Sequence, residues 1–398
     1  MKEVHSSPAP GTPLSIAVVG IGSGGCRAVS HMANRWTEGP SVAMLDTDAQ
    51  LLAECPAGTR IQIGKTLTRG LGAGGDVNAG RSAAEEERER LRALFSGADL
   101  VFLVVALGGG TGTGAAPVVA RIARDEGALV LCFATLPFSF EGDARRSQAM
   151  HGLAALKTEA DAVVAVPNQR LFELVKDGAT AEQAFGQADD VLGAGIQAIW
   201  NLLVRRGLIS LSFADLRSVV QNSGGTCVFG YGEAMGDARA QTAASAALEN
   251  PLLDHGRAVA SARALLVSIV GGPDLSLGEI ESIMNTISSS AHGDAHVYMG
   301  AASHPDWIGR LSVTILASEQ WLQEPAPKAE ESPEEPPGAA EKDESGEKKK
   351  RRGKVTQSKL SLDPSGRGRF KDVEPTILDG QDLDIPTFKR RGIAIEKL

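Results

Sequence analysis

The chain has 398 residues, 42% of them hydrophobic and only 4% aromatic, and carries a formal net charge of −9 with a pI near 5.4. That length accommodates two domains and a tail, the charge excludes a generic nucleic-acid binder, and the core must be mostly aliphatic and alanine. Cys26, Cys55, Cys132 and Cys227 stand far apart with no CxxC pair, so neither zinc nor a disulfide framework is expected and a reducing compartment fits.

Residues 1–13 read as a short disordered arm without an apolar signal core, and no run of about 18 apolar residues occurs. A cytoplasmic protein is therefore expected, with any membrane contact made through a partner. From Leu14 onward, runs at 15–19, 41–45, 100–107, 128–134 and 162–166 are short and apolar on both faces, as buried parallel strands are. Helical patterns lie between them, which predicts an α/β doubly wound sheet.

Two glycine segments punctuate this pattern. Gly20-Ile21-Gly22-Ser23-Gly24-Gly25 follows the first strand and opens a helix, with Asp46 about twenty residues on, at the end of the next strand. Alone, this fingerprint indicates a Rossmann NAD-binding enzyme. The second segment, Gly108-Gly109-Gly110-Thr111-Gly112-Thr113-Gly114, lies between the run 100–107 and a helical stretch at 115–123. Its glycines allow close backbone approach and φ > 0, its threonines supply hydroxyls, and the helix end offers N–H groups to phosphate. No Lys-Ser/Thr follows, so it is not a Walker loop. A Rossmann protein needs one pyrophosphate loop. Two loops fit one triphosphate wrapped from several strand ends, and no acid/base set for hydride transfer stands out.

Residues 181–204 keep helical apolar spacing over a long span, from Ala184 and Phe185 to Leu203. Further strands are expected at 263–270 and 310–316. Composition breaks near Trp321; residues 322–380, rich in Pro, Glu, Lys, Gly and Ser, cannot bury a core and read as a disordered linker. A small apolar island follows at 382–391.

The order strand, GGGTGTG, helix is similar to the signature loop of the tubulin/FtsZ family of GTP-binding, filament-forming proteins. The flanking Ala115-Ala116-Pro117-Val118-Val119 and Thr135-Leu136-Pro137-Phe138-Ser139-Phe140-Glu141-Gly142 resemble bacterial FtsZ more closely than tubulin. Collinear segments at 16–25, 46–50, 67–74, 167–171 and 188–192 extend the resemblance, as does Asp384-Ile385-Pro386-Thr387-Phe388-Lys389-Arg390-Arg391 in the tail.

The resemblance implies a tubulin/FtsZ-like doubly wound GTPase domain at 14–180, a long central helix at 181–206, and a second, α+β domain at 207–320. A disordered linker at 321–380 and a partner-binding peptide at 381–398 complete it. It implies GTP or GDP as ligand, with Mg²⁺ accompanying GTP. Gly22, Ser23, Gly24, Gly25, Cys26 and Arg27, Gly74, and Gly108, Gly109, Gly110, Thr111, Gly112, Thr113 and Gly114 would surround the nucleotide. Glu141 and Arg145 would lie at the ribose, Phe185 would stack on the base, Asn168 would face the nucleotide, and Asp189 would accept from guanine N1 and N2.

The resemblance also implies a head-to-tail homopolymer that builds the division ring at midcell and hydrolyses GTP between subunits. Membrane-tethering and regulatory division proteins would bind the tail through Asp384, Ile385, Pro386, Phe388 and Arg390.

Departures from the family pattern are visible. Its second domain usually presents Asn-x-Asp-Phe-Ala-Asp, whereas this chain has Ser210-Leu211-Ser212-Phe213-Ala214-Asp215. Asp215 remains as the loop's acid, and slow turnover is expected. The alternative is a nucleotide-bound filament, or a co-polymer with another FtsZ, that hydrolyses little. Arg27 replaces the usual Asn, and Leu136 stands where Lys or Arg often precedes Pro-Phe.

Overall fold

Alternation along the central strand sets the layers. In β4 (Leu100–Ala106), Phe102 and Val104 face one side of the sheet, while Val101, Leu103 and Val105 face the other. The computed structural model describes residues 14–55, 58–173, 180–204, 207–221 and 225–318, and two short strands beyond them. The chain divides into two compact units, 1–328 and 329–398. In the second, Ile377–Leu378 pairs antiparallel with Gln381–Asp382.

The first half of unit one runs β1 (Ile16–Ile21), α1 (Gly22–Ala33), β2 (Ser41–Asp46), α2 (Ala49–Glu54), β3 (Thr59–Gln62), α3 (Lys65–Thr68), α4 (Val77–Glu86) and α5 (Arg88–Phe95) before β4. It continues with α6 (Gly110–Asp125), β5 (Leu129–Leu136), α7 (Asp143–Glu159), β6 (Ala162–Pro167) and α8 (Asn168–Phe172). Its strands are parallel in the order β3-β2-β1-β4-β5-β6. This is the doubly wound arrangement the sequence predicts.

The long helix α9 (Ala181–Val204) follows, then α10 (Phe213–Gln221), β7 (Thr226–Met235), α11 (Arg239–Leu248), α12 (Arg257–Ser261), β8 (Ala264–Gly271), α13 (Leu277–Ser290), β9 (His296–Ser303) and β10 (Arg310–Ser318). β10 is antiparallel to both β7 and β8, and β9 runs parallel to β8. Ala243, Ala247, Ile283 and Ile287 of α11 and α13 pack on Val267, Ile269 and Val313. Leu192, Ile196 and Ile199 of α9 belong to the core that also holds Phe102, Phe133 and Leu266.

The two halves share one ten-stranded sheet. β6 meets β7 over two register pairs, Val163↔Thr226 and Val164↔Cys227. Three strands lack the apolar runs that made the others legible. β3 is Thr-Arg-Ile-Gln with one buried residue, β7 carries Gly230, Gly232 and Glu233, and β9 begins exposed at His296.

α6 starts five residues earlier than its apolar pattern indicates, so most of the second glycine segment is helix rather than loop. Within 108–114 only Gly108 has positive φ, at 104°. Gly110, Gly112 and Gly114 answer crowding, while a Cβ on Gly109 would meet nothing within 4 Å. A Cβ on Gly114 would lie 2.0 Å from the Val77 carbonyl oxygen of α4. All four cysteines are free and buried, and no described helix is long and apolar enough to cross a membrane.

Gly114→Ala is expected to destabilise the fold by about 1–3 kcal/mol or more, because α4 must move. Gly278→Ala in α13 meets nothing within 4 Å, and is expected to be neutral or to stabilise by about 0.4–1 kcal/mol. Urea titrations of both variants check the contrast; equal effects would remove close helix approach as the reason for the glycine.

Candidate functional site

α1 leaves the end of β1 and α6 leaves the end of β4. These strands are neighbours at the point where strand order reverses, the crevice in which open parallel sheets bind ligands. Neither helix has a side-chain cap. The amides of Gly22, Ser23 and Gly24, and of Gly110, Thr111 and Gly112, therefore have no intrahelical acceptor. In α6 that pairing begins with Thr113, whose N–H donates to Gly109 O at 3.3 Å. Both helix ends face a cleft of about 550 Å³.

The cleft is lined by Gly22, Ser23, Gly24, Arg27, Gly74, Gly109, Gly110, Thr111 and Gly112, and by Glu141, Arg145, Asn168 and Phe185. These residues come from six separate segments of sequence. Glu141 is committed on both oxygens: it accepts from Phe138 N–H at 2.8 Å and from Arg145 at 2.7 Å. Phe138 meets Phe185 edge-on at 5.9 Å and stacks on Phe140 at 4.8 Å. The Arg27 guanidinium sits 4.6 Å above the Phe185 ring.

Other residues expected at the nucleotide do not line this cleft. Cys26 is buried, and its thiol points at the Gly20 and Leu45 carbonyls. Burial pushes its pKa up. Gly25 is pressed onto β4, where a Cβ would lie 2.2 Å from Val104 O. Gly108 makes the turn into α6, donating its N–H to Thr113 Oγ1 at 2.8 Å, so Thr113 braces the loop from beneath. Gly114 faces α4 and lines a separate groove between α4 and α7.

Further residues of the quoted segments contribute to the site, although no individual role is assigned to them from sequence. Asp46 is buried and accepts from Ser23 Oγ at 3.0 Å, Thr47 N–H at 2.7 Å and Asp48 N–H at 3.2 Å. Burial pushes its pKa up and these hydrogen bonds pull it down. It pins the end of β2 to the first turn of α1, a structural use of the acid that a dinucleotide reading gives to ribose. Thr47 in turn meets Thr111, Oγ1 to Oγ1, at 2.7 Å. Gly72, Gly75, Phe138 and Phe140 also line the cleft. Two phenylalanines spaced by one residue, in a chain so poor in aromatics, were the available signal.

Asp189 is only 7% exposed and borders a second cleft of about 620 Å³, between α1, α9 and residues 304–310. Among the described residues none donates a hydrogen bond to its carboxylate. Burial pushes its pKa up to about 6, Arg27 and His31 pull it down, and Asp190 adds to the rise. Asp190 is satisfied by His31 and Arg35, both at 2.8 Å.

Ser210, Ser212 and Asp215 lie outside the first cleft, beyond the far end of α9. Their segment is held by reciprocal backbone hydrogen bonds between Ile209 and Ala301 of β9, at 3.2 and 2.9 Å, and by buried Leu211. Ser212 and Asp215 form a capping box at the start of α10. Asp215 Oδ2 accepts from Ser212 Oγ at 2.6 Å and from its N–H at 2.9 Å, and Asp215 N–H donates to Ser212 Oγ at 3.1 Å. The tail residues Asp384, Ile385, Pro386, Phe388 and Arg390 lie outside the described residues.

Residues 15–176 match the tubulin/FtsZ family GTPase domain, and residues 225–320 match the FtsZ family C-terminal domain. Over 303 residues the chain is 42% identical to the cell division protein FtsZ of Buchnera aphidicola subsp. Schizaphis graminum, spanning 76% of this chain and 78% of that protein. An empty FtsZ dimer from M. jannaschii is 38% identical with a TM-score of 0.71, over 77% of this chain and 88% of that one. A GTPγS-bound CetZ2 protofilament from Haloferax volcanii shares the fold, with a TM-score of 0.64 at 22% identity over 76% and 92% of the two chains. Fold and site together define a GTPase of the tubulin/FtsZ class. Within that class the chain belongs to the FtsZ family, as a homologue of the cell-division cytoskeletal GTPase.

The buried carboxylate gives a pH signature. Its folded pKa of about 6 lies above the ordinary 3.8, so the native state holds that proton more tightly. Native stability then falls as pH rises from about 4 to about 6. In nucleotide-free protein, Asp189→Asn is expected to gain about 1–3 kcal/mol at pH 7.5 and nothing below about pH 4. Urea melts across that range measure it; a pH-independent difference would contradict the burial account.

Proposed function

We propose that this chain binds GTP and GDP in the β1–β4 cleft, polymerises head to tail, and hydrolyses GTP slowly at the contact between subunits. The observation that carries this reading is one cleft faced by two uncapped helix ends, with a buried carboxylate nearby on α9 that has no hydrogen-bond donor among the described residues. Phosphates would accept from the amides of Gly22, Ser23, Gly24, Gly110, Thr111 and Gly112, with the Thr111 hydroxyl adding a donor. Mg²⁺ would ride on the triphosphate, which neutralises charge there. Glu141 and Arg145 would meet the ribose. Phe185 and Asn168 would face the base, and Asp189 would accept from guanine N1–H and N2–H, groups adenine does not present.

Assembly is supported by the rim. Phe140 is 80% exposed and Leu71 is 84% exposed, large apolar side chains that a partner surface would cover. The distance along α9 supports hydrolysis between subunits. From Asp189 to Val204 the helix alone runs roughly 22 Å, so the 210–215 segment does not reach its own chain's cleft. A head-to-tail contact brings a neighbour's segment there and leaves an open filament.

Asp215 would position the attacking water. With one oxygen held by Ser212, it acts through the other, and no second acid assists. The tail would tether the polymer to membrane-anchoring and regulatory division proteins at midcell, with Ile385 and Phe388 as anchors.

The test is turnover measured beside sedimentation. GTP and GDP are expected to compete better than ATP, and GTP to pellet the protein. Ser210→Asn with Ser212→Asp is expected to raise turnover at least about tenfold, a modest share of what one preorganised polar group supplies. Asp215→Ala is expected to abolish it. Equal affinity for ATP and GTP overturns the guanine assignment, and a series silent at every position makes the nucleotide a structural fixture of the filament.

A further inference from the structure

The residue that departs most visibly from the family pattern at the cleft is Arg27, and its surroundings give it a specific use. Phe185 offers a ring face as the floor of the base site. Asp189 lies one helical turn further along the same face of α9, buried and without a hydrogen-bond donor among the described residues. Arg27 reaches across from α1 and holds its guanidinium 4.6 Å above that ring. Among the described residues no hydrogen bond or ion pair fixes this guanidinium; its contact with Phe185 is a cation–π contact, weak at an exposed site. Phe185 thus carries an otherwise unpaired fork of donors over its ring face, with a buried acceptor one helical turn along α9.

Guanine presents two adjacent edges of opposite character. O6 and N7 both accept, and N1–H with N2–H₂ both donate. A guanidinium fork matches the first pair with two parallel N–H donors, the pairing that arginine makes with guanine in general. A carboxylate matches the second pair. Adenine replaces O6 with a donor and N1–H with an acceptor, so it offends both groups at once. An asparagine in place of Arg27 could offer a donor but not the fork.

Resting on the guanine reading above, we propose that Arg27 is a specificity-determining residue: its guanidinium leaves the Phe185 face as the base stacks there and donates to O6 and N7. The purine is then read on two edges, by Arg27 on one side and by Asp189 on the other. Arg27 also returns to the ring when the site empties, which keeps Phe185 covered in the free protein.

Three diphosphates separate these edges: GDP, 7-deaza-GDP, which lacks the N7 acceptor, and IDP, which lacks the N2 amino group. The full-length parent is expected to bind 7-deaza-GDP about tenfold more weakly than GDP, the size of one hydrogen bond to a charged group. In R27A and R27N that ratio is expected to fall to about one, while the GDP-to-IDP ratio, which belongs to Asp189, stays at the parent value. Equal binding of GDP and 7-deaza-GDP by the parent, with IDP still discriminated, overturns the proposal for Arg27 alone. A general loss of affinity in R27A with the 7-deaza penalty intact also overturns it, and makes Arg27 a packing residue. If neither IDP nor ADP binds more weakly than GDP, the guanine reading itself has failed.

Discussion

The structure depends on how closely α1 crosses β4. Gly25 lies against the Val104 carbonyl, where a Cβ would come within 2.2 Å, so only glycine permits the crossing. That contact sets α1 down at the strand-order reversal, with its first amides beside those of α6. The same requirement recurs where α6 passes α4 at Gly114. Glycine in both segments is therefore demanded first by packing. The cleft is what remains when two helices are brought together end-first with nothing to cap either of them, and an anion is the natural complement of such a space.

Two buried aspartates near this cleft show how the same penalty is met in different ways. Asp46 and Asp189 are both held up in pKa by burial. Asp46 is answered within the chain by Ser23, Thr47 and Asp48, and so it fastens one element to the next. Asp189 has the Arg27 guanidinium near it but no donor among the described residues. A carboxylate kept dry without a donor is costly to the fold. Perturbed groups of this kind concentrate at functional sites, and on the proposed reading a ligand edge would supply what the chain does not.

Much of this was legible in the sequence because parallel strands buried on both faces leave continuous apolar runs, and the five such runs are strands. The glycine segments announced the cleft, but their spacing could not separate glycines that face a ligand from those that face a helix. Gly109, Gly110 and Gly112 line the cleft while Gly114 does not, a difference set by which side of the first helical turn each one occupies. β3, β7 and β9 were hidden because their pairing is supplied by neighbours rather than by their own side chains. The Ser212–Asp215 box was written as Ser-x-x-Asp ahead of an apolar helix, a capping signal masked by the catalytic meaning that the resemblance gives to the same residues.

That overlap bears on how the two ends of the molecule relate. α9 is one uninterrupted helix of 24 residues, roughly 36 Å long, packed along its length into the core that both halves share. Phe185 and Asp189 sit in its first turns, and the segment bearing Ser210, Ser212 and Asp215 begins just past its end. A rod this well packed fixes the separation of those groups, so neither can approach the other by local rearrangement. On the proposed reading, a single chain would carry half of a reacting centre on each of two distant surfaces. The halves would meet only between chains, and such a contact would repeat without closing because the surfaces differ. On that reading, turnover would be conditional on assembly through geometry alone. The strength of that coupling falls to the local chemistry at the 210–215 segment, where Ser212 caps a helix and holds one oxygen of Asp215 in a single arrangement.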